Sequence, residues 1–153
     1  MKDKLKDKMK KLYLPQPDEK TGIIPQFDGY FDLKEIDLSV YKNASVVGTI
    51  FHDYSGEDVQ KMQAGKQADI VELLYQMEDI TTPDNKAKNY VYYEARTLHD
   101  SSLSKAIHSI TACDLGMEKE AYEMFMSAAL TDLGQEMKSS DAGIHSANMG
   151  GVW

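Results

Sequence analysis

Apolar residues recur at helical spacing along much of this chain, and the intervals between those stretches are dense in proline, glycine and aromatic rings. Leu5, Met9 and Leu12 mark one narrow face of a lysine-rich segment over 1–11, which predicts a short amphipathic helix. From Tyr13 to Tyr41, Pro15, Pro17, Pro25, Gly22 and Gly29 exclude regular helix. Tyr13, Phe27, Tyr30, Phe31 and Tyr41 crowd that stretch with rings, which either cover a core or line a cleft. Val46 to Phe51 is β-branched but lacks a partner strand, and it stays unassigned as an isolated extended piece.

A helix is predicted over about Val59 to Met77. Ile70, Leu73, Leu74 and Met77 stand at i, i+3, i+4 and i+7 on one face, with Lys66 and Gln67 near its start. Pro83 suits the first turn of a further helix reaching Tyr90, followed by a polar loop. Leu103, Ala106, Ile107 and Ile110 then form one apolar face, and Tyr122, Phe125, Met126, Ala129 and Leu133 another. Gly116 and Gly134 close these two helices, and the short connection at Gly116 and Met117 forces them into an antiparallel αα-hairpin. The methionine-rich face from Glu118 to Leu133 reads as core. The final stretch, Gly143 to Trp153, reads as a Gly-rich loop. The fold class is therefore all-α.

A chain of 153 residues with 42% hydrophobic content can build one core. Seventeen basic against 25 acidic residues give a net charge of −8, which argues against a nucleic-acid partner. The lysines of the first helix read as a solvated face. No apolar run reaches membrane-span length, and the single cysteine, Cys113, reads as a packed helix residue. These features point to a reducing, cytoplasmic setting without a membrane partner.

Chemistry concentrates in Tyr92-Tyr93-Glu94-Ala95-Arg96-Thr97-Leu98-His99-Asp100-Ser101-Ser102-Leu103-Ser104. A carboxylate, a guanidinium, an imidazole and hydroxyls close together can orient one another and the hydroxyls of a sugar. They could equally cap a helix, with Asp100, Ser101, Ser102 or Ser104 as the N-cap and Arg96 paired to Asp100 or Glu94. His99 and His108 with Asp100 match no zinc spacing, so no metal is expected. Ser101 and Ser102 beside His99 lack a nucleophile elbow.

This stretch, with Ile107-His108-Ser109-Ile110 after it, resembles the late barrel segment of glycoside hydrolase family 65, the inverting α-glucoside phosphorylases. Further blocks agree in order: Pro25-Gln26-Phe27-Asp28-Gly29-Tyr30-Phe31-Asp32-Leu33, Lys66-Gln67-Ala68-Asp69, and Gly143-Ile144-His145-Ser146-Ala147-Asn148-Met149-Gly150-Gly151-Val152-Trp153. Ala95 and Lys105 replace the family's usual prolines. Ser146 stands where an apolar residue is common, and Asn148 and Val152 stand where serine and threonine are frequent. Residues 42–62 match weakly.

The resemblance implies a partial α/α barrel, with residues 1–153 an incomplete catalytic barrel domain supplying its later helices. It implies that Lys66, Gln67, Glu94 and Tyr30 bind sugar, and that His145, Ser146, Asn148 and Gly150 bind phosphate. Arg96, His99 and Asp100 would support them. The family's general acid, a Glu, is expected upstream of these residues, so no catalytic residue is assigned here. Inorganic phosphate would be the co-substrate with a disaccharide, no other cofactor would be needed, and the whole protein could be a homodimer. A hydrolase of trehalose-like substrates and a non-catalytic sugar-binding or helical interaction module remain as alternatives. An isolated barrel section is expected to expose apolar faces and to be marginally folded or self-associated.

Overall fold

The computed structural model describes residues 2–42, 44, 46–67, 69–133 and 143–153. Eight α-helices follow one another among them: α1 (Lys2–Lys11), α2 (Ser39–Lys42), α3 (Gly56–Val59), α4 (Asp69–Gln76), α5 (Pro83–Ala95), α6 (Ser104–Asp114), α7 (Glu118–Ala129) and α8 (Ser146–Val152). Single 3₁₀ turns lie at Tyr30–Asp32, Thr49–His52 and Glu78–Ile80. The unassigned Val46–Phe51 piece thus runs into a helical turn rather than a strand. The only β pairing among the described residues is two isolated parallel bridges, Lys34 with Met62 and Gly65 with Thr97.

Helix α1 buries none of its residues, and Leu5 and Met9 stay exposed. The main core lies between α4, α5, α6 and the ring-rich segment. Val71 and Leu74 are fully buried and Ile24 and Ile70 nearly so, in contact with Tyr30, Tyr90, Tyr93 and Ala112. Each such aliphatic side chain contributes roughly 1.5–3 kcal/mol by leaving water. Of the predicted α4 stripe, Ile70 and Leu74 are buried and Leu73 is half-buried, whereas the helix is shorter than expected and Met77, just past its end, is exposed. Residues 60–67 leave α3 through Met62, Gln63 and Gly65 in bridged, extended backbone, so Lys66 and Gln67 precede the helix instead of opening it. Ala68 lies outside the described residues.

Helix α5 begins as the sequence suggests, with Pro83 in the first turn and the Thr82 hydroxyl accepting from the Asn85 N–H. It continues one and a half turns past Tyr90, which puts Glu94 on a helix and not in a loop. Asn89, fully buried on α5, accepts from the Ile24 N–H at 2.8 Å and donates to the carbonyls of Gly22 and Asn85. This one amide ties the irregular segment to the helix. Gly22 has φ +74°, a left-handed backbone that favours glycine, and a Cβ there would also press on the Asn85 side-chain oxygen.

The αα-hairpin is present, and its turn is a Schellman motif. The Met117 N–H reaches the Ala112 carbonyl and the Gly116 N–H the Cys113 carbonyl, with Gly116 at φ +72°. The predicted apolar faces are only partly the buried ones. On α6 the buried positions are Ser104, Ala106, His108, Ser109, Thr111 and Ala112, while Leu103 just before it is exposed. On α7 they are Ala121 and Ala128, while Tyr122, Phe125 and Leu133 are exposed and Met126 is half-buried. Small residues let the two helices approach, and the large apolar ones are left facing outward. Cys113 is exposed rather than packed. Gly134 lies outside the described residues. The last segment is a helix, not a loop, and α8 packs on α6 and α7, where a Cβ at Gly151 would stand 3.0 Å from that of Ala106.

The outward apolar side chains of Tyr122, Phe125, Leu133, Met149 and Trp153 predict self-association of the isolated chain, measurable by sedimentation velocity; a monomer with a cooperative melt would contradict this. Asn89→Ala orphans the buried Ile24 N–H at a cost of about 1–3 kcal/mol. Proteolytic cutting within 18–24 is then expected to speed up by roughly five- to a hundred-fold.

Candidate functional site

Three groups converge on one carboxylate at the end of α5. Glu94, whose side chain is 16% exposed, accepts from the Lys42 ammonium at Oε1 (2.6 Å). Its Oε2 lies 3.0 Å from His99 Nε2 and 2.5 Å from His108 Nδ1. The His108 contact is close but poorly aligned, and neither nitrogen of that buried ring has a hydrogen-bond partner. The two imidazoles stand edge to face, with centroids 4.6 Å apart. Burial is the largest influence on Glu94 and opposes its charge. The close contacts and the charge of His108 and His99 together outweigh it and hold the carboxyl far below the ordinary range. Burial likewise pushes His99 below its usual value, although Glu94 pulls the other way.

His99 reaches back five residues because its backbone is left-handed, at φ 53°. That conformation is costly for a β-carbon-bearing residue, and it persists because both ring nitrogens are engaged, Nδ1 with the Ser104 hydroxyl at 3.0 Å. Ser104 therefore serves His99, and the N-cap of α6 is Leu103, with no side-chain cap. Asp100 accepts from the Gly48 N–H at 2.9 Å and so ties the turn to the 42–52 stretch.

Gly65 places the preceding segment alongside. Its N–H donates to the Arg96 carbonyl and its carbonyl accepts from the Leu98 N–H. A Cβ on Gly65 would stand 3.0 Å from the Gln67 carbonyl, a contact tight enough that the local backbone would have to shift. Lys66 and Gln67 are both exposed, and Gln67 shares a small recess with Glu72, Ser104 and His108. His108 thus stands between Gln67 and Glu94. On the other side, Lys42, Glu94, His99, Lys105 and Ser127 line an open cleft of about 840 Å³.

Two expected residues sit within packed clusters. Arg96 pairs with neither Asp100 nor Glu94; its guanidinium stacks 3.7 Å over the Tyr92 ring, donates to Gln63 and the Tyr92 carbonyl, and meets Glu35 at 3.2 Å. Tyr30, 4% exposed, is the hub of a ring cluster with Phe27, Phe31, Tyr92 and Tyr93 at centroid distances of 5.5–6.4 Å. Burial pushes its phenol well above the usual range. Of the other predicted rings, Tyr41 joins a second small cluster, with its hydroxyl on Asp53, and Tyr13 is exposed.

His145 sits apart from Glu94, as the residue before α8. Both its N–H and its Nδ1 engage the Asp132 carboxylate at 2.6 Å. Ser146 and Gly150 are exposed, whereas Asn148 is buried, donating to the Ala128 carbonyl with its own side-chain oxygen unpartnered. The structure brings Glu94, His99, His108 and Gln67 to one place and leaves His145 and Ser146 at the far end of α7. Lys42 and His108 were missed as site residues. Lys42 lies in the weakly matching stretch, 52 positions before Glu94, and only tertiary contact reveals it.

The profile of the glycosyl hydrolase family 65 central catalytic domain matches residues 1–153. The chain belongs to glycosyl hydrolase family 65. A kojibiose phosphorylase of Halothermothrix orenii is 48% identical over 97% of this chain, and one of Escherichia coli 41% over 95%. A solved structure from the human microbiome, provisionally named a kojibiose phosphorylase, superposes on 99% of the chain with a TM-score of 0.77 and 30% identity. The chain spans 19% of the length of those two curated relatives and 22% of the solved one, so it is a section of the family 65 catalytic domain. The expected all-α barrel section is what the fold shows. No helix among the described residues is long and apolar enough to cross a membrane.

The Glu94 carboxyl titrates below its ordinary 4.5, so the charge supports this family 65 section fully above that pH, and the support is lost as the pH falls through the depressed value. Glu94→Gln is expected to lower the thermal midpoint at pH 7, with the gap to wild type narrowing on acidification below 4.5; a widening gap would contradict the assignment.

Proposed function

We propose that this chain forms the sugar- and phosphate-handling wall of an inverting α-glucoside phosphorylase, as an incomplete catalytic α/α-barrel domain. The whole protein cleaves an α-glucosidic disaccharide with inorganic phosphate, releasing β-glucose 1-phosphate and a free sugar. One carboxylic acid protonates the leaving oxygen while phosphate attacks the anomeric carbon from the opposite face, in place of the activated water of a hydrolase. That acid belongs to a part of the protein other than these residues.

The observation that carries the reading is the ionised Glu94 at the cleft. A carboxylate kept charged by Lys42 and two imidazoles is a strong, oriented acceptor for sugar hydroxyls, stronger than a neutral carboxyl. Gln67, across His108, donates and accepts in one plane, and Lys66 adds a mobile ammonium. His145, Ser146, Asn148 and Gly150 form the phosphate side, with Asp132 fixing the His145 ring so that Nε2 is left for an anion. Arg96, Asp100 and Tyr30 act as scaffold behind the binding groups. The kojibiose phosphorylases among the relatives put kojibiose at the head of the disaccharides to try. A cytoplasmic enzyme acting on small molecules, without nucleic acid, is the setting that fits the acidic composition. A homodimer is the assembly proposed.

The test uses the full-length protein and a disaccharide panel, with and without phosphate. Sugar 1-phosphate release only with phosphate is the expected result, and equal sugar release without it makes the protein a hydrolase. Glu94→Gln is expected to lower kcat/KM by on the order of 10²-fold, the loss of one or two hydrogen bonds to a charged group at ~1.5–3 kcal/mol each, and Gln67→Ala by roughly tenfold, the loss of neutral ones at ~0.5–1.5 kcal/mol each. Unchanged kinetics in both would remove the sugar-binding assignment.

A further inference from the structure

We infer that Glu94, His99 and His108 form a binding site for a divalent transition-metal ion of the Zn²⁺ class, open on one side to the cleft. Each residue offers one ligand atom and the three lie within 4.8 Å of one another, with Glu94 Oε2 3.0 Å from His99 Nε2 and 2.5 Å from His108 Nδ1. Two imidazoles and one carboxylate are a donor set that borderline-soft cations select over Mg²⁺ or Ca²⁺, and three protein ligands with an open position is the pattern of an exchangeable zinc site. With metal–ligand distances of about 2.0–2.2 Å, tetrahedral geometry separates neighbouring ligands by roughly 3.3 Å. The present contacts to Oε2, at 3.0 and 2.5 Å, need only to open by less than about 1 Å.

Two further features favour an ion over a purely structural cluster. His108 is 1% exposed, its Nε2 has no hydrogen-bond partner and its Nδ1 meets Glu94 Oε2 only in a close, poorly aligned contact, which a bond from Nδ1 to a metal would replace with a well-placed one. Ser104 is already placed on His99 Nδ1. By rotating its hydroxyl to accept, it selects the Nδ1–H tautomer and frees the Nε2 lone pair for the ion. Sequence spacing hid the site because it suggests Asp100 as the third group, whereas Asp100 is bound to Gly48 and Glu94 comes from the end of α5. Lys42 on Oε1 is the resident competitor: its charge occupies the carboxylate when no ion is bound and weakens ion binding.

The consequence rests on the sugar-binding reading of Glu94. An ion at Oε2 would occupy the acceptor that the sugar uses, making Zn²⁺ an inhibitor competitive with disaccharide. The binding claim itself stands on geometry alone.

The experiment titrates the full-length metal-free protein with Co²⁺, following its visible d–d bands, then displaces it with Zn²⁺. Expected is one saturable low-coordinate Co²⁺ site that Zn²⁺ empties. It should be lost in His108→Ala and weakened at least tenfold in His99→Asn, a residue that tolerates the left-handed backbone. Lys42→Met should tighten binding several-fold, which keeps the test informative if His108→Ala misfolds. Absence of a saturable site in wild type, or one unmoved by His99→Asn and Lys42→Met, overturns the proposal. Binding that responds to these substitutions without inhibiting phosphorolysis upholds the metal site and tells against Glu94 as the sugar acceptor.

Discussion

A carboxylate taken most of the way out of water and still ionised is the constraint around which this section of the domain is organised. Removing Glu94 from solvent costs several kcal/mol unless opposite charge and donors replace the lost hydration. The replacements come from three elements: Lys42 from α2, 52 positions before Glu94, His99 from the turn after α5, and His108 from α6. Each must be carried to within 3 Å of the same group. The left-handed turn at His99, the Asp100 tie to Gly48 and the close passage at Gly65 are the backbone arrangements that accomplish it.

Behind that group lies a support of rings and amides that is polar as well as apolar. Asn89 binds three backbone groups, the Tyr93 hydroxyl donates to the Ile24 carbonyl, and the Thr97 hydroxyl returns to the Tyr93 carbonyl. Such bonds satisfy the irregular segment that helix and sheet ladders would otherwise serve. Arg96 belongs to this layer: stacked on Tyr92 and held by Gln63, it clamps the α5 terminus so that Glu94 and Thr97 keep their registers.

The elements with strong periodicity and explicit stop signals were legible in the sequence. Pro83, the Gly116 turn and the Ile70 to Leu74 stripe all appear where their chemistry places them. Where the pattern misled, a tertiary contact won. Apolar spacing overrode the Gly65 break and drew α4 too long. Two glycines made the α8 stretch read as a loop, although packing against Ala106 favours a helix there. The exposed rings of α7 looked like core because one chain section cannot reveal which neighbour covers them. Glu94 and His99 stood out as a crowded polar run, but Lys42 and His108 gain meaning only from where the fold puts them.

Gly151 sets a spacing as well as a contact. With only 3.0 Å between a would-be methyl there and that of Ala106, the closing helix rests on α6 with almost no upholstery. A larger residue at 151 would lift that helix off α6, and His145, one residue ahead of it, is anchored to Asp132 on the other side. A change of side-chain size beneath α8 would re-aim an imidazole several residues away without touching it.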